Sequence, residues 1–79
     1  MSDADFKALA GRIDGMYLAL GALVATLEDA QIIDGTALAA GIRRSAVARS
    51  EDKSNNPATW QTLMEIADRI DDARANRCR

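Results

Sequence analysis

A chain of 79 residues with a net charge of −2 has room for one small domain, and it contains one cysteine and no histidine. An internal disulfide is therefore excluded, and no metal site is expected, because zinc takes several cysteine or histidine ligands. The usual residue of acid–base catalysis at neutral pH is also missing, so the composition favours a binding protein over an enzyme, with no cofactor.

The charges are unevenly divided along the chain. Residues 1–41 hold six acidic and two basic side chains, whereas residues 42–79 hold six acidic and eight basic ones. Such polarity can orient a protein partner or present a basic end to nucleic acid. The opening residues 1–6 are acidic where a secretory signal is basic, and the apolar run 16–27 is too short to span a bilayer. We therefore expect a cytoplasmic protein with no membrane contact.

The first predicted helix spans about residues 3–28. From Phe6 to Leu27 its apolar residues recur at alternating steps of three and four, the a/d pattern of a coiled coil, and Tyr17 and Val24 widen the stripe. The predicted oligomer interface consists of Phe6, Leu9, Ile13, Met16, Tyr17, Leu20, Leu23, Val24 and Leu27.

Small residues form a second ridge on this helix. Gly11, Gly15 and Ala19 follow one another at four-residue spacing, although glycine inside a helix costs roughly 1 kcal/mol relative to alanine. Two explanations stay open: close approach of another backbone, or glycines that are simply tolerated.

The second predicted helix spans about residues 36–50, with Asp34 as its N-cap. Its thin apolar stripe consists of Leu38, Ile42, Ala46 and Val47.

The third predicted helix spans about residues 57–75, because Asn56 is a good N-cap and Pro57 suits the first helical position. Residues 76–79 are expected to fray. The expected core stripe of this helix is Trp60, Leu63, Ala67 and Ile70.

The lengths of the three stripes favour self-association. The stripe on the first helix is roughly 32 Å long, and those on the other two are each about half as long. Two short helices cover the long one only if they lie nearly end to end, whereas pairing with a second copy covers it more simply. The sequence therefore predicts an all-α, three-helix, single-domain protein (residues 1–79) that assembles as a helical-bundle homodimer.

Part of the chain resembles a DNA-binding motif. The stretch Gly-Ile-Arg-Arg-Ser-Ala-Val-Ala-Arg-Ser-Glu from Gly41, continued through Asn56-Pro57 to Ile66-Ala67, is similar to the recognition-helix segment of lambda-repressor-like helix-turn-helix proteins. The resemblance implies a dimeric regulator with one helix in the major groove of DNA. Its possible nucleic-acid contacts are Arg43, Arg44, Ser45 and Arg49.

A row of carboxylates and the single cysteine could in principle bind a cation or react, but neither is expected to form a functional site. Glu65, Asp68 and Asp72 share one helical face, but a flat row of carboxylates does not converge on a cation, and a solvated face is expected. Cys78 lies between two arginines near the chain end, where a thiol lacks the fixed orientation of a catalytic group.

The main functional prediction is a non-enzymatic interaction module, such as a small bacterial or phage-borne regulator, adaptor or inhibitor. It binds its own copy and an unidentified protein partner. The alternative is a divergent helix-turn-helix transcriptional regulator, which the acidic isoelectric point of about 4.9 disfavours.

Overall fold

The computed structural model describes residues 2–77 as three α-helices. In chain order they are α1 (Asp3–Asp29), α2 (Gly35–Ser50) and α3 (Pro57–Arg77). No strand occurs within this range, so the predicted all-α fold is confirmed. The expected bounds agree within a residue except at the end of α3, which is helical through Arg77 instead of fraying from residue 76.

Side-chain caps set the starts of the helices. Asp34 and Asn56 each accept a hydrogen bond from the backbone amide two residues further on, at 2.9 and 3.0 Å, so both predicted caps are confirmed. Ser2 caps α1, where no cap was predicted: its hydroxyl oxygen accepts a hydrogen bond from the amide of Asp5, three residues further on, at 3.1 Å.

The end of α1 is a Schellman turn without glycine. The amide of Gln31 donates to the carbonyl of Glu28, and the amide of Ile32 donates to that of Leu27, both at 2.9 Å. This pattern places Gln31 at a φ of 59°, in the left-handed region. A side chain with a Cβ atom costs roughly 1–2 kcal/mol there.

Alanines form the centre of the α2–α3 contact. Ala39, Ala46 and Ala67 are completely covered, and small side chains let two helices approach closely. Val47, one of the four residues of the thin apolar stripe of α2, is 47% exposed, because α2 buries Ala39 and Ala46. The larger buried residues are Val24 and Ile70, surrounded by the partly buried Ile33, Leu38, Ile42 and Ile66.

Helix α1 contacts the rest of the molecule mainly through α3, from about Ile13 to the end of the helix. Tyr17 meets Glu65, whereas Glu28 meets Arg74, so the two helices run in the same direction where they touch. All residues from Ser2 to Met16 are exposed. The N-terminal half of α1 therefore projects from the α2–α3 pair.

Replacement of glutamine by glycine should have opposite effects on stability in the turn after α1 and in the interior of α3. We expect Gln31→Gly to raise the free energy of unfolding by about 1 kcal/mol, since it relieves the left-handed strain at that position. Gln61→Gly, at an exposed position inside α3, is the matched control and should lower it by about 1 kcal/mol. Urea denaturation followed by circular dichroism measures both, and a loss of stability in both variants contradicts the assigned role of Gln31.

Candidate interaction face

An uncovered row of large apolar side chains runs along α1. We call the six residues the α1 apolar row. Their exposed fractions are 65% for Phe6, 45% for Leu9, 45% for Ile13, 71% for Met16, 37% for Leu20 and 55% for Leu23. They all belong to the a/d pattern, so they lie on one side of the helix.

The other three residues of the predicted interface take part in the chain's own packing. Val24 is buried in the core at 4% exposure, and Leu27 is half-buried. Tyr17 donates its hydroxyl to a carboxylate oxygen of Glu65 at 3.3 Å, and its ring lies 4.3 Å from the guanidinium carbon of Arg69. The structure thus divides the predicted stripe into an exposed row and a flank that packs on α3.

A groove lies where the α1 apolar row meets α3. It has a volume of about 440 Å³ and is open to solvent. Four of its lining residues come from α1 and two from α3, namely Ile13, Met16, Tyr17, Leu20, Thr62 and Ile66. The groove is therefore continuous with the middle of the row.

The small-residue ridge of α1 faces open space in the described chain. A Cβ atom added at Gly11, Gly15 or Gly21 would have no neighbour within 4 Å. No other segment among residues 2–77 therefore approaches these glycines closely, and either explanation of the ridge still holds.

A charged cluster fixes the other end of α1. The Glu28 carboxylate, 13% exposed, accepts from Arg74 Nε at 2.6 Å and from Arg77 at 2.8 Å. Arg74 also donates to the hydroxyl of Thr36 at 2.6 Å. The cluster thus joins the last turn of α1, the first turn of α2 and the end of α3, and the Arg77 contact accounts for the extra helical residues there.

The same contacts stabilise the charged form of Glu28. The hydrogen bond from Arg74 lowers the pKa of Glu28 and outweighs the opposing effect of desolvation. The positive charges of Arg74 and Arg77 and a hydrogen bond from the Gly35 amide lower the pKa further. Sequence spacing could not reveal this cluster, because Arg74 and Arg77 lie 46 and 49 residues after Glu28 in the chain.

The four predicted nucleic-acid contacts lie along a single helix, but they differ in availability. Arg43 is bound to Asp68 and Asp71 at 2.8 Å each, so its charge is locally compensated. Arg49 donates to the Ser45 hydroxyl at 3.1 Å, whereas Arg44 is exposed. Helix α2 continues through Gly41 without a turn.

Two of the three carboxylates in the predicted row on α3 are partners of other residues. Glu65 accepts from Tyr17, and Asp68 accepts from Arg43. Within residues 2–77 no group of three or more potential ligands is placed to hold a metal ion. Cys78 lies outside the described residues.

Helix α1 also has the length and composition of a membrane span. It is 27 residues long, its most apolar 18-residue window has a mean hydropathy of 1.4, and 6% of that window is buried. The continuous helix is thus longer than the twelve-residue apolar run considered in the sequence. Core helices and signal sequences share these properties, so length and composition are weak evidence for a membrane location.

Comparison with protein-family models, with curated proteins and with solved structures finds no match for this chain.

The Glu28 cluster predicts a pH dependence of stability. Because the folded-state pKa of Glu28 is lowered, its contribution is complete above the unfolded value near 4.5 and is lost as the pH falls through the folded value. We expect Glu28→Gln to be less stable than the parent protein at neutral pH, and this difference should shrink on acidification below about pH 4.5. Thermal unfolding between pH 7 and pH 2.5 measures the difference. Asp29→Asn, at the exposed next residue, is the control, and a difference of constant size at all pH values contradicts the assignment.

Proposed function

We propose that the protein is a non-enzymatic interaction module that self-associates through the α1 apolar row. The observation that carries the proposal is that α2 and α3 leave this row uncovered, with Phe6 65% and Met16 71% exposed. A contiguous row of large apolar side chains in water is typical of an interaction surface.

The uncovered area is sufficient for a specific dimer. A fully exposed large apolar residue has a surface of about 200 Å², so the exposed fractions of the six residues leave at most about 600 Å² on each chain, backbone included. Two copies together offer about 1,200 Å², which lies at the lower end of the range for stable interfaces. The projecting half of α1 supports the same conclusion. Every residue from Ser2 to Met16 is exposed, so α2 and α3 bury none of these side chains.

In this proposal the dimer acts in the cytoplasm as a regulator, adaptor or inhibitor that binds a further protein. The support is the charge polarity, since the first half of the chain is acidic and the second half has a basic excess. Opposite patches on one molecule favour a single orientation of a charged partner.

Two other functions have less support, namely insertion of α1 into a membrane and binding of DNA. In a bilayer, Arg12 and Asp14 would lie in the middle of α1, where each charged side chain costs about 2.5–3.5 kcal/mol. DNA binding through α2 remains the alternative prediction, but the compensation of Arg43 by two carboxylates weakens the basic patch that phosphate contacts require.

If the α1 apolar row forms the contact, a charge introduced on this face of α1 should weaken self-association, whereas a charge on the opposite face should not. We expect Met16→Lys to weaken self-association at least about tenfold, because burial of a methionine is replaced by burial of a charge in both chains. Leu18→Lys is the matched control, since Leu18 is 65% exposed but points away from the row, about 200° around the helix from Met16. Sedimentation equilibrium from 1 to 200 µM measures both variants, and circular dichroism checks their helix content.

Three outcomes would contradict the proposal. A parent protein that is monomeric throughout this range has no self-association to explain. Equal weakening by both variants, or weakening by Leu18→Lys alone, places the contact on another face. Flotation of the parent protein with vesicles of phosphatidylcholine and phosphatidylglycerol, together with a monomeric state in water, favours the membrane instead.

A further inference from the structure

The spacing of the α1 apolar row shows how two copies fit together. Its six members are symmetric about the bond between Asp14 and Gly15, so that reversing the helix places each member opposite another member. We infer that two α1 helices pair antiparallel about a two-fold axis at this bond, forming the layers Phe6–Leu23, Leu9–Leu20 and Ile13–Met16 together with their three symmetry copies. This arrangement rests on the self-association proposed above.

The heptad positions agree with antiparallel packing. Phe6, Ile13 and Leu20 are a positions, and Leu9, Met16 and Leu23 are d positions. Every layer of the proposed pair therefore joins an a residue to a d residue of the partner helix, so that knobs enter holes along the whole contact. The pairing extends from Phe6 to Leu23, about 26 Å.

The flanking residues complement one another in size. In this register Arg12 faces Ala19 of the second copy on one side of the row, and Tyr17 faces Ala10 on the other side. Each bulky flanking side chain thus meets an alanine.

Charge and coverage also favour the antiparallel arrangement. A parallel pair would bring Asp3 and Asp5 of both chains to one end and place the positive ends of both helix dipoles side by side. The antiparallel pair separates these groups by nearly the length of α1. It also lays the projecting half of each α1 along the half that α3 supports in the other copy, next to the groove at Ile13 and Met16.

Heterotypic disulfide formation tests the orientation. Both chains carry Cys78→Ser, one also carries Phe6→Cys, the other Leu23→Cys, and one bears a mass tag. In the antiparallel pair the two introduced thiols are adjacent, whereas two copies of the same thiol lie about 26 Å apart along the helix. In a glutathione redox buffer, we expect the mixture to form the tagged–untagged disulfide and each chain alone to remain uncrosslinked.

The outcomes separate this inference from the proposed function. Crosslinking of each chain with itself, but not in the mixture, shows a parallel pair and overturns the antiparallel register alone. A dimer in sedimentation without any of these crosslinks overturns the register as well. A monomer in sedimentation overturns the proposed function.

A spin label provides a second measurement that leaves the row intact. A nitroxide at Ala4→Cys, in the same Cys78→Ser background, lies on the exposed first turn outside the row. We expect pulsed dipolar spectroscopy to give a distance of about 30 Å between the two labels of an antiparallel dimer, since the sites are about 21 residues apart along the helix. A distance under about 20 Å contradicts the antiparallel arrangement.

Discussion

The close contact of α2 with α3 is the constraint on which the rest of the structure depends. Ala39, Ala46 and Ala67 are fully covered, so the two helices approach each other with little apolar bulk between them. A narrow pair of this kind offers α1 a short contact, which ends near Asp14, and it leaves the α1 apolar row exposed on both sides of that residue. The exposure of the row thus follows from the small size of the core.

Polar contacts hold α1 where apolar packing is sparse. The Glu28 carboxylate accepts from two arginines of α3 and from the first amide of α2, and its charged form is stabilised there. Tyr17 adds a hydrogen bond and a cation–π contact about three turns earlier. These contacts determine which side of α1 packs on α3, and so which side stays exposed. The position of the α1 apolar row therefore depends on a charged cluster that lies outside it.

Local signals made most of the fold predictable, and long-range contacts did not. The N-caps Asp34 and Asn56 give the starts of two helices, because a cap acts within a few residues. The a/d pattern identified the candidate face, but it could not show that Val24 belongs to the chain's own core. An alanine differs little in hydrophobicity from its neighbours, so the apolar stripe of α2 did not include the fully buried Ala39, whereas it did include Val47, which is 47% exposed. The Glu28 cluster joins distant segments and leaves no local pattern.

The projecting half of α1 has little packing of its own to stabilise it, and the proposed self-association would supply such packing. Isolated helices shorter than about 12–15 residues are marginal in water, and most helical stability comes from packing of an apolar face. Residues 3–16 are all exposed and contact α3 only near Ile13 to Met16, and they include Gly11 and Gly15, which lower helix propensity. In the proposed dimer, a second copy laid along the α1 apolar row would supply the missing contact to this half. Self-association and the stability of the N-terminal half of α1 would then be coupled, because each copy would stabilise the helix that the other copy binds.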